Sequence, residues 1–200
     1  CAPTRRRMKL AEHRGIDTDV YGPAEDSALL AAAVEDDIDT VDLVLDVGTG
    51  TGYVGKRLAE ATDARVIGTD INPAACHRAR ENGIEAVIAD LTTPFGQRVF
   101  DVVVFNPPYL PEVPEMKLDR WFKSAVTGGE SGRAVINSFI ADVGRVIRTD
   151  GRVYLLISSL TGLDAVTERS TTEGFDVHVL ERVEYPDEDL LVLRLSWNSG

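Results

Sequence analysis

Apolar residues recur at helical spacing in some stretches of this chain and in unbroken β-branched runs in others, and the two kinds alternate from Asp26 onward. Residues 26–34 form an alanine- and leucine-rich run behind Asp26 or Ser27, either of which can cap a helix. Residues 41–47 (VDLVLDV) have the apolar, β-branched character of a buried strand. A glycine-rich turn leads into a predicted helix over 53–61, with Val54, Leu58 and Ala61 on one face. Next come a strand at 64–70, a helix at 74–81 that Pro73 opens, and strands at 85–90 and 100–105. Residues 107–132 read as irregular. A helix at 133–147, a strand at 151–158, a helix at 163–173 and strands at 175–183 and 189–195 complete the pattern.

Strands separated by single helices pair in parallel through right-handed crossovers, which predicts a doubly wound α/β fold. Only the short Tyr185-Pro186-Asp187 turn separates the last two strands, so these should pair as an antiparallel hairpin at one edge. The expected architecture is one domain over 19–200 with a mostly parallel seven-stranded sheet, behind an N-terminal extension at 1–18. No internal repeat or low-complexity tract interrupts it.

Two motifs carry chemistry. Asp46-Val47-Gly48-Thr49-Gly50-Thr51-Gly52 directly follows the first strand, where glycines let the backbone turn sharply and approach a ligand. Asp70 ends the second strand, where a carboxylate can bind both ribose hydroxyls of a nucleoside. Dinucleotide enzymes share this layout, but their glycines follow GxGxxG. Here they run GxGxG, and Tyr53 takes the sixth place. Asp90 ends the third strand, within reach of an adenine amino group. Acids on successive strand ends favour S-adenosylmethionine (SAM). Taken alone, the glycine loop has a plain alternative, a structural tight turn.

The second motif is Asn106-Pro107-Pro108-Tyr109, at the end of the fourth strand. Two prolines remove two backbone donors and fix φ, and the first also holds Asn106 extended. The Asn106 side-chain oxygen and the Pro107 carbonyl then offer two acceptors to the two hydrogens of an NH2 group, while Tyr109 packs on its flat face. Accepting those protons polarises a poorly nucleophilic amide nitrogen, and alignment supplies much of the rate. A rigid turn without chemistry is the alternative.

Charge and composition narrow the setting. The 200 residues carry a net charge of -12; lysine is confined to Lys9, Lys56, Lys117 and Lys123, and aspartate outnumbers glutamate. Such a surface suits the cytoplasm of a salt-loving organism, because salt screens self-repulsion; an ordinary acidic protein is the alternative reading. Cys1 and Cys76 form no CxxC pair, and His13, His77 and His178 lack ligand spacing, so no metal is expected. The first residues are basic without the apolar stretch of a signal peptide, and Met8 is a candidate start. No apolar run approaches the roughly 20 residues that cross a bilayer. The expectation is a cytoplasmic protein without a membrane segment. Acidic runs at 35–37 and 187–189 are expected to be solvated faces. Trp121 and Phe122, beyond the double proline, shape the substrate pocket or simply pack.

Val44-Leu45-Asp46-Val47-Gly48-Thr49-Gly50, Asp70-Ile71-Asn72-Pro73 and Asn106-Pro107-Pro108-Tyr109 resemble the HemK-like glutamine methyltransferases, class I enzymes of Rossmann-like fold. Asp19-Val20-Tyr21-Gly22-Pro23-Ala24-Glu25-Asp26-Ser27 resembles that family's entry segment, usually with Thr in place of Ser27 and Glu in place of Gly22. Thr127-Gly128-Gly129-Glu130-Ser131-Gly132-Arg133 resembles its glycine-rich segment. The resemblance spans about residues 19–195. It implies that SAM is held by Ser27, Asp46, Gly48, Asp70, Asp90 and Leu91, with Tyr21, Gly50 and Ile71 beside them, and that Asn106 touches cofactor and substrate. Residues 21–27 serve either as a lid over the cofactor or as a helix cap packed on the sheet.

By the same resemblance, the substrate is the glutamine of the Gly-Gly-Gln loop in a class-1 translation release factor. About 40 residues precede the first strand, fewer than the N-terminal helical domain of bacterial members needs. The chain is therefore similar to the short archaeal and eukaryotic branch, which works with a small zinc-binding activator subunit. Adenine-N6 methylation of DNA or RNA is the competing reading, since the same loop suits an exocyclic amine. It wants a target-recognition domain and clustered Lys and Arg, both missing from this chain outside Arg5-Arg6-Arg7. A non-catalytic SAM-binding scaffold is the third, and the intact 106–109 motif argues against it.

Overall fold

A computed structural model describes residues 25–38, 41, 43–108, 133–186 and 188–198. Helices α1 (Glu25–Asp37), α2 (Tyr53–Thr62), α3 (Pro73–Glu81), α4 (Ala134–Val146) and α5 (Leu163–Thr172) alternate with strands β1 (Leu43–Val47), β2 (Arg65–Asp70), β3 (Glu85–Ile88), β4 (Phe100–Phe105) and β5 (Ile147–Ser158). Strands β6 (Phe175–Glu184) and β7 (Asp189–Trp197) follow α5. All seven strands form one sheet, ordered β3-β2-β1-β4-β5-β7-β6, and the first five pair in parallel.

Successive side chains of each strand point to opposite faces, and both faces are covered. Val44, Val66, Val102, Val104, Leu156 and Val192 pack under α1, α2 and α3 against Leu30, Val34, Leu58 and Ala79. Their strand neighbours Leu45, Val47, Val103, Phe105, Leu155 and Leu193 pack on the other face against Ile136, Phe139 and Ile140 of α4 and Val166 of α5. This double burial explains why the strands read as apolar runs.

Of the boundaries that differ from expectation, three have a visible cause or consequence. Helix α1 begins at Glu25, which puts Asp26 and Ser27 inside its first turn rather than ahead of it. Strand β3 stops at Ile88 because its partner β2 ends at Asp70. Strand β5 starts at Ile147, four residues early: Phe100 pairs with Ile147, and a bulge then shifts the register so that Val102 pairs with Arg152. Gly151 makes the bulge possible, since a Cβ there would lie 2.8 Å from the Asp101 carbonyl oxygen.

The C-terminal hairpin is antiparallel as expected, but β7 inserts between β5 and β6. Leu190, Leu191, Val192, Leu193 and Leu195 are buried on both sides of β7, whereas β6 is mostly exposed and can serve as an edge.

The acidic runs are not simply solvated faces. Glu35 pairs with Arg57 of α2. The Asp37 carboxylate accepts from Arg194 Nη1 at 2.7 Å and from the buried Tyr154 hydroxyl at 2.8 Å, while Arg152 Nη1 donates to the Asp37 carbonyl at 2.7 Å. Glu188 is 5% exposed and accepts from the Ser158 hydroxyl at 2.5 Å. The contacts at Asp37 pin the C-terminal end of α1 to β5 and β7, where a cation also complements the helix dipole. Arg194→Met, which keeps the stem and removes the charge, should lower stability by about 2 kcal/mol, read as a lower urea midpoint at unchanged slope. Among the described residues, no helix is long and apolar enough to cross a membrane.

Candidate active site

Strand β1 lies between β2 and β4, and the order of connection reverses across it. In open α/β sheets ligands collect at the carboxyl ends of strands at such a point. The turn leaving β1 takes its shape from three left-handed glycines, Gly48, Gly50 and Gly52, at φ 63°, 56° and 81°. A side chain at Gly48 would also come within 3.3 Å of the Phe105 ring.

Asp46 anchors this turn from beneath. It is 3% exposed, and its Oδ2 accepts from the Thr49 hydroxyl at 2.7 Å and the Gly55 amide at 3.1 Å. Thr49 in turn sits directly over Gly68 of β2, where a Cβ would lie 2.8 Å from three Thr49 side-chain atoms. A second acid closes the loop's outer edge. Asp70 Oδ2 accepts from the Gly50 amide at 3.0 Å and Oδ1 from the Asn72 amide at 2.8 Å. Asn72 then caps α3 by accepting from the Ala74 amide at 2.9 Å, and Pro73 begins the helix.

Beside Asp70, Ile71 is 48% exposed, an apolar surface of the kind a purine ring covers. Asp90 is exposed, and Leu91 follows it in the left-handed conformation at φ 48°. This segment is braced from α4. Arg145 donates to the carbonyls of Thr92 at 3.1 Å and Phe95, and is paired with Asp142, which also accepts from the Thr92 hydroxyl.

Asn106 leaves the end of β4 half-buried, followed by buried Pro107 and half-buried Pro108. Its Nδ2 donates to the Ser27 hydroxyl at 3.2 Å, across 79 positions of sequence. Ser27 and Asp26 are themselves buried, and Asp26 Oδ1 accepts from the Ser27 amide at 2.7 Å and lies 3.5 Å from its hydroxyl oxygen. Thus Ser27, Asp46, Gly48, Gly50, Asp70, Ile71 and Asn106 stand on the strand and helix ends of one sheet edge, with Asp90 and Leu91 on the adjoining turn. Tyr21, Tyr109, Trp121, Phe122 and residues 127–132 lie outside the described residues. Gly68, Arg145 and the pairing of Thr49 with Asp46 were not singled out from the sequence, and Asp26 reads there only as a possible helix cap and part of the entry segment. For Gly68 a signal existed, because a glycine inside a strand often marks a close approach.

Burial pushes the Asp46 carboxyl up to about 6, against the pull of Thr49 and Gly55, and neighbouring Asp70 adds to the rise. Burial also raises Asp70 above the ordinary carboxyl value, with the Asn72 and Gly50 amides pulling the other way. Both acids thus carry an ionisation cost that a bound cation would offset. Acids that want a cation, a side-chain-free turn, an exposed apolar shelf and a further carboxylate at Asp90 fit the sulfonium, ribose and adenine of SAM.

Fold and site together define a class I SAM-dependent methyltransferase. Residues 44–129 match the family described as a methyltransferase domain. A provisionally named protein N5-glutamine methyltransferase of Methanocaldococcus jannaschii is 36% identical over 184 residues, 89% of this chain and 92% of that protein. Human methyltransferase HEMK2 is 32% identical over 197 residues, 92% of either chain. The E. cuniculi Mtq2-Trm112 complex, described as responsible for methylating the eRF1 translation termination factor, has a chain that superposes with a TM-score of 0.76 at 31% identity, over 90% of this chain and 100% of that one. The chain belongs to the HemK-like protein-glutamine methyltransferases, in the short branch of archaea and eukaryotes.

Proposed function

We propose that this chain, through one domain over residues 19–200, methylates the side-chain amide of the glutamine in the Gly-Gly-Gln loop of a class-1 translation release factor. The carrying observation is the orientation of Asn106: its amino end is turned to Ser27, which leaves its carbonyl oxygen as an acceptor beside the double proline. SAM, when bound, would supply a methyl group from an electrophilic sulfonium, the S–CH3 bond breaking to leave the neutral thioether adenosylhomocysteine. Asp70 and Asp90 would hold its ribose and adenine, Ile71 and Leu91 would flank the ring, and Asp46 and the Gly48–Gly50 turn would shape the space between. Asn106 Oδ1 and the Pro107 carbonyl accept the two hydrogens of the substrate carboxamide, and Tyr109 packs on its plane. This holds the NH2 group flat and polarises its nitrogen. The nitrogen sheds one proton to water once it carries the methyl group.

The test is methyl transfer from labelled SAM. Release factor should be labelled, and its Gly-Gly-Gln glutamine-to-alanine variant should not. Labelling of adenine-containing DNA or RNA in its place would support the competing reading, and binding without turnover would support a scaffold.

We further propose a small zinc-binding activator subunit on the open edge of β3. The HemK-like short branch and the partner in the E. cuniculi complex support this. Both edge strands expose apolar side chains, Val87 at 38% and Ile88 at 52% on β3 and Val179 at 47% on β6, but on β3 the two are adjacent. Strand β6 instead carries a bulge and the exposed Arg182–Asp189 pair, devices that discourage pairing. Ile88→Arg should abolish co-purification of the partner from native lysate while leaving the circular dichroism of the chain unchanged. A translation factor as substrate supports a cytoplasmic setting. The acidic composition supports adaptation to salt, and the protein should lose structure as KCl is withdrawn.

A further inference from the structure

Asn106 can serve as an acceptor only if its carboxamide faces the right way round. Its two ends have nearly the same shape and opposite hydrogen-bonding character, so something must set the polarity. The proline that follows fixes the backbone, but it cannot distinguish Oδ1 from Nδ2.

The structure assigns that task to Asp26 and Ser27 in the first turn of α1. We infer that they are positioning residues, which select the rotamer of Asn106 that turns its oxygen toward substrate. Asp26 is 2% exposed, and its Oδ1 stands as an acceptor toward both the amide and the hydroxyl of Ser27. A serine hydroxyl has one proton, and the Ser27 hydroxyl oxygen lies 3.5 Å from Asp26 Oδ1, which also accepts from the Ser27 amide at 2.7 Å. With its proton directed there, Ser27 meets Asn106 only through a lone pair. The group facing it at 3.2 Å must then be the Asn106 amino end, and the carbonyl oxygen points away from α1. The opposite flip would set two acceptors against each other at a half-buried contact, which is unfavourable.

The other end of α1 makes this contact firm. Arg194, Tyr154 and Arg152 hold Asp37, so the helix that carries Asp26 and Ser27 is fastened to the sheet that carries Asn106. By this account Ser27 acts through Asn106, a role separate from the cofactor contact that the family resemblance implies. The inference rests on the proposed role of Asn106 as acceptor.

The experiment measures kcat at saturating SAM and SAM affinity for the full chain carrying Ser27→Ala, Ser27→Thr or Asp26→Asn, each alone and combined with Asn106→Ala. Ser27→Ala should lower kcat by about 10- to 100-fold, the cost of a misaligned catalytic group, while SAM affinity stays within about threefold. Ser27→Thr, which keeps the hydroxyl, should restore the rate. Asp26→Asn can donate as well as accept, so Asn106 is free to flip, and kcat should fall about tenfold. None of these changes should lower the residual rate of Asn106→Ala further.

The inference is overturned if Ser27→Ala and Asp26→Asn keep kcat, if loss of SAM affinity accounts for the whole effect, or if Ser27→Thr is as slow as Ser27→Ala. An effect that persists undiminished on the Asn106→Ala background overturns it too. If Ser27→Ala proves unfolded by circular dichroism, Asp26→Asn and Ser27→Thr decide between the same outcomes. Failure of the parent reading looks different, because Asn106→Ala would then itself retain turnover.

Discussion

Asn106→Ala should lower kcat by about 100- to 1,000-fold, equivalent to about 3–4 kcal/mol of transition-state stabilisation, the loss typical of removing one preorganised polar group. The side chain is half-buried, and its recorded bond is the one to Ser27, so folding should lose only about 1 kcal/mol. That separation makes the prediction sharp. A variant that melts near wild type, binds adenosylhomocysteine and does not methylate release factor is the expected result. SAM affinity should fall far less than kcat, because Asp70, Asp90 and the glycine turn remain in place. Turnover within tenfold of wild type would remove Asn106 from the reaction.

A change of comparable size is expected from pH, through Asp46. Its carboxyl titrates near 3.8 in the unfolded chain and is pushed up to about 6 in the fold. Between those values the folded state keeps a proton that the unfolded state has released. Stability contributed by this group is therefore fully present below pH 4 and lost as pH rises through about 6. The loss amounts to about 3 kcal/mol, taking about 1.4 kcal/mol for each unit. Asp46→Asn removes the titration, and its side-chain oxygen can still accept from Thr49 and the Gly55 amide. Relative to wild type, the variant should gain about 3 kcal/mol between pH 4 and pH 7, measured by urea unfolding of ligand-free protein. A stability difference that is flat with pH would show that Asp46 does not carry the strain. SAM should also bind more tightly to wild type as pH rises through 6, since a cation favours the ionised form of Asp46. That pH dependence should weaken in Asp46→Asn.

Local physics made much of this legible. The GxGxG turn reads from sequence because left-handed φ values at Gly48, Gly50 and Gly52 exclude most other residues. Asp46, Asp70 and Asn106 read because each ends or nearly ends an apolar run, and a polar group at that position faces the ligand side of a parallel sheet. Thr49 over Gly68 and Arg145 under the Thr92–Phe95 turn did not, because their roles depend on partners contributed by other elements, and Asp26 read only as a helix cap. The acidic runs misled for the same reason: Asp37 and Glu188 look solvated until Tyr154, Arg194 and Ser158 are brought to them.

By itself, the amino-acid sequence determined the alternation of helices and strands, the parallel sense of the sheet, the antiparallel hairpin and the glycine and double-proline loops. All of these follow from periodicity, turn chemistry and connection length, which act over a few residues. Only the tertiary structure decided that β7 lies inside β6, that a bulge lengthens β5, and that α1 sets Ser27 against Asn106 across 79 positions. Those outcomes depend on which buried surfaces meet and which polar groups must find partners once water is excluded.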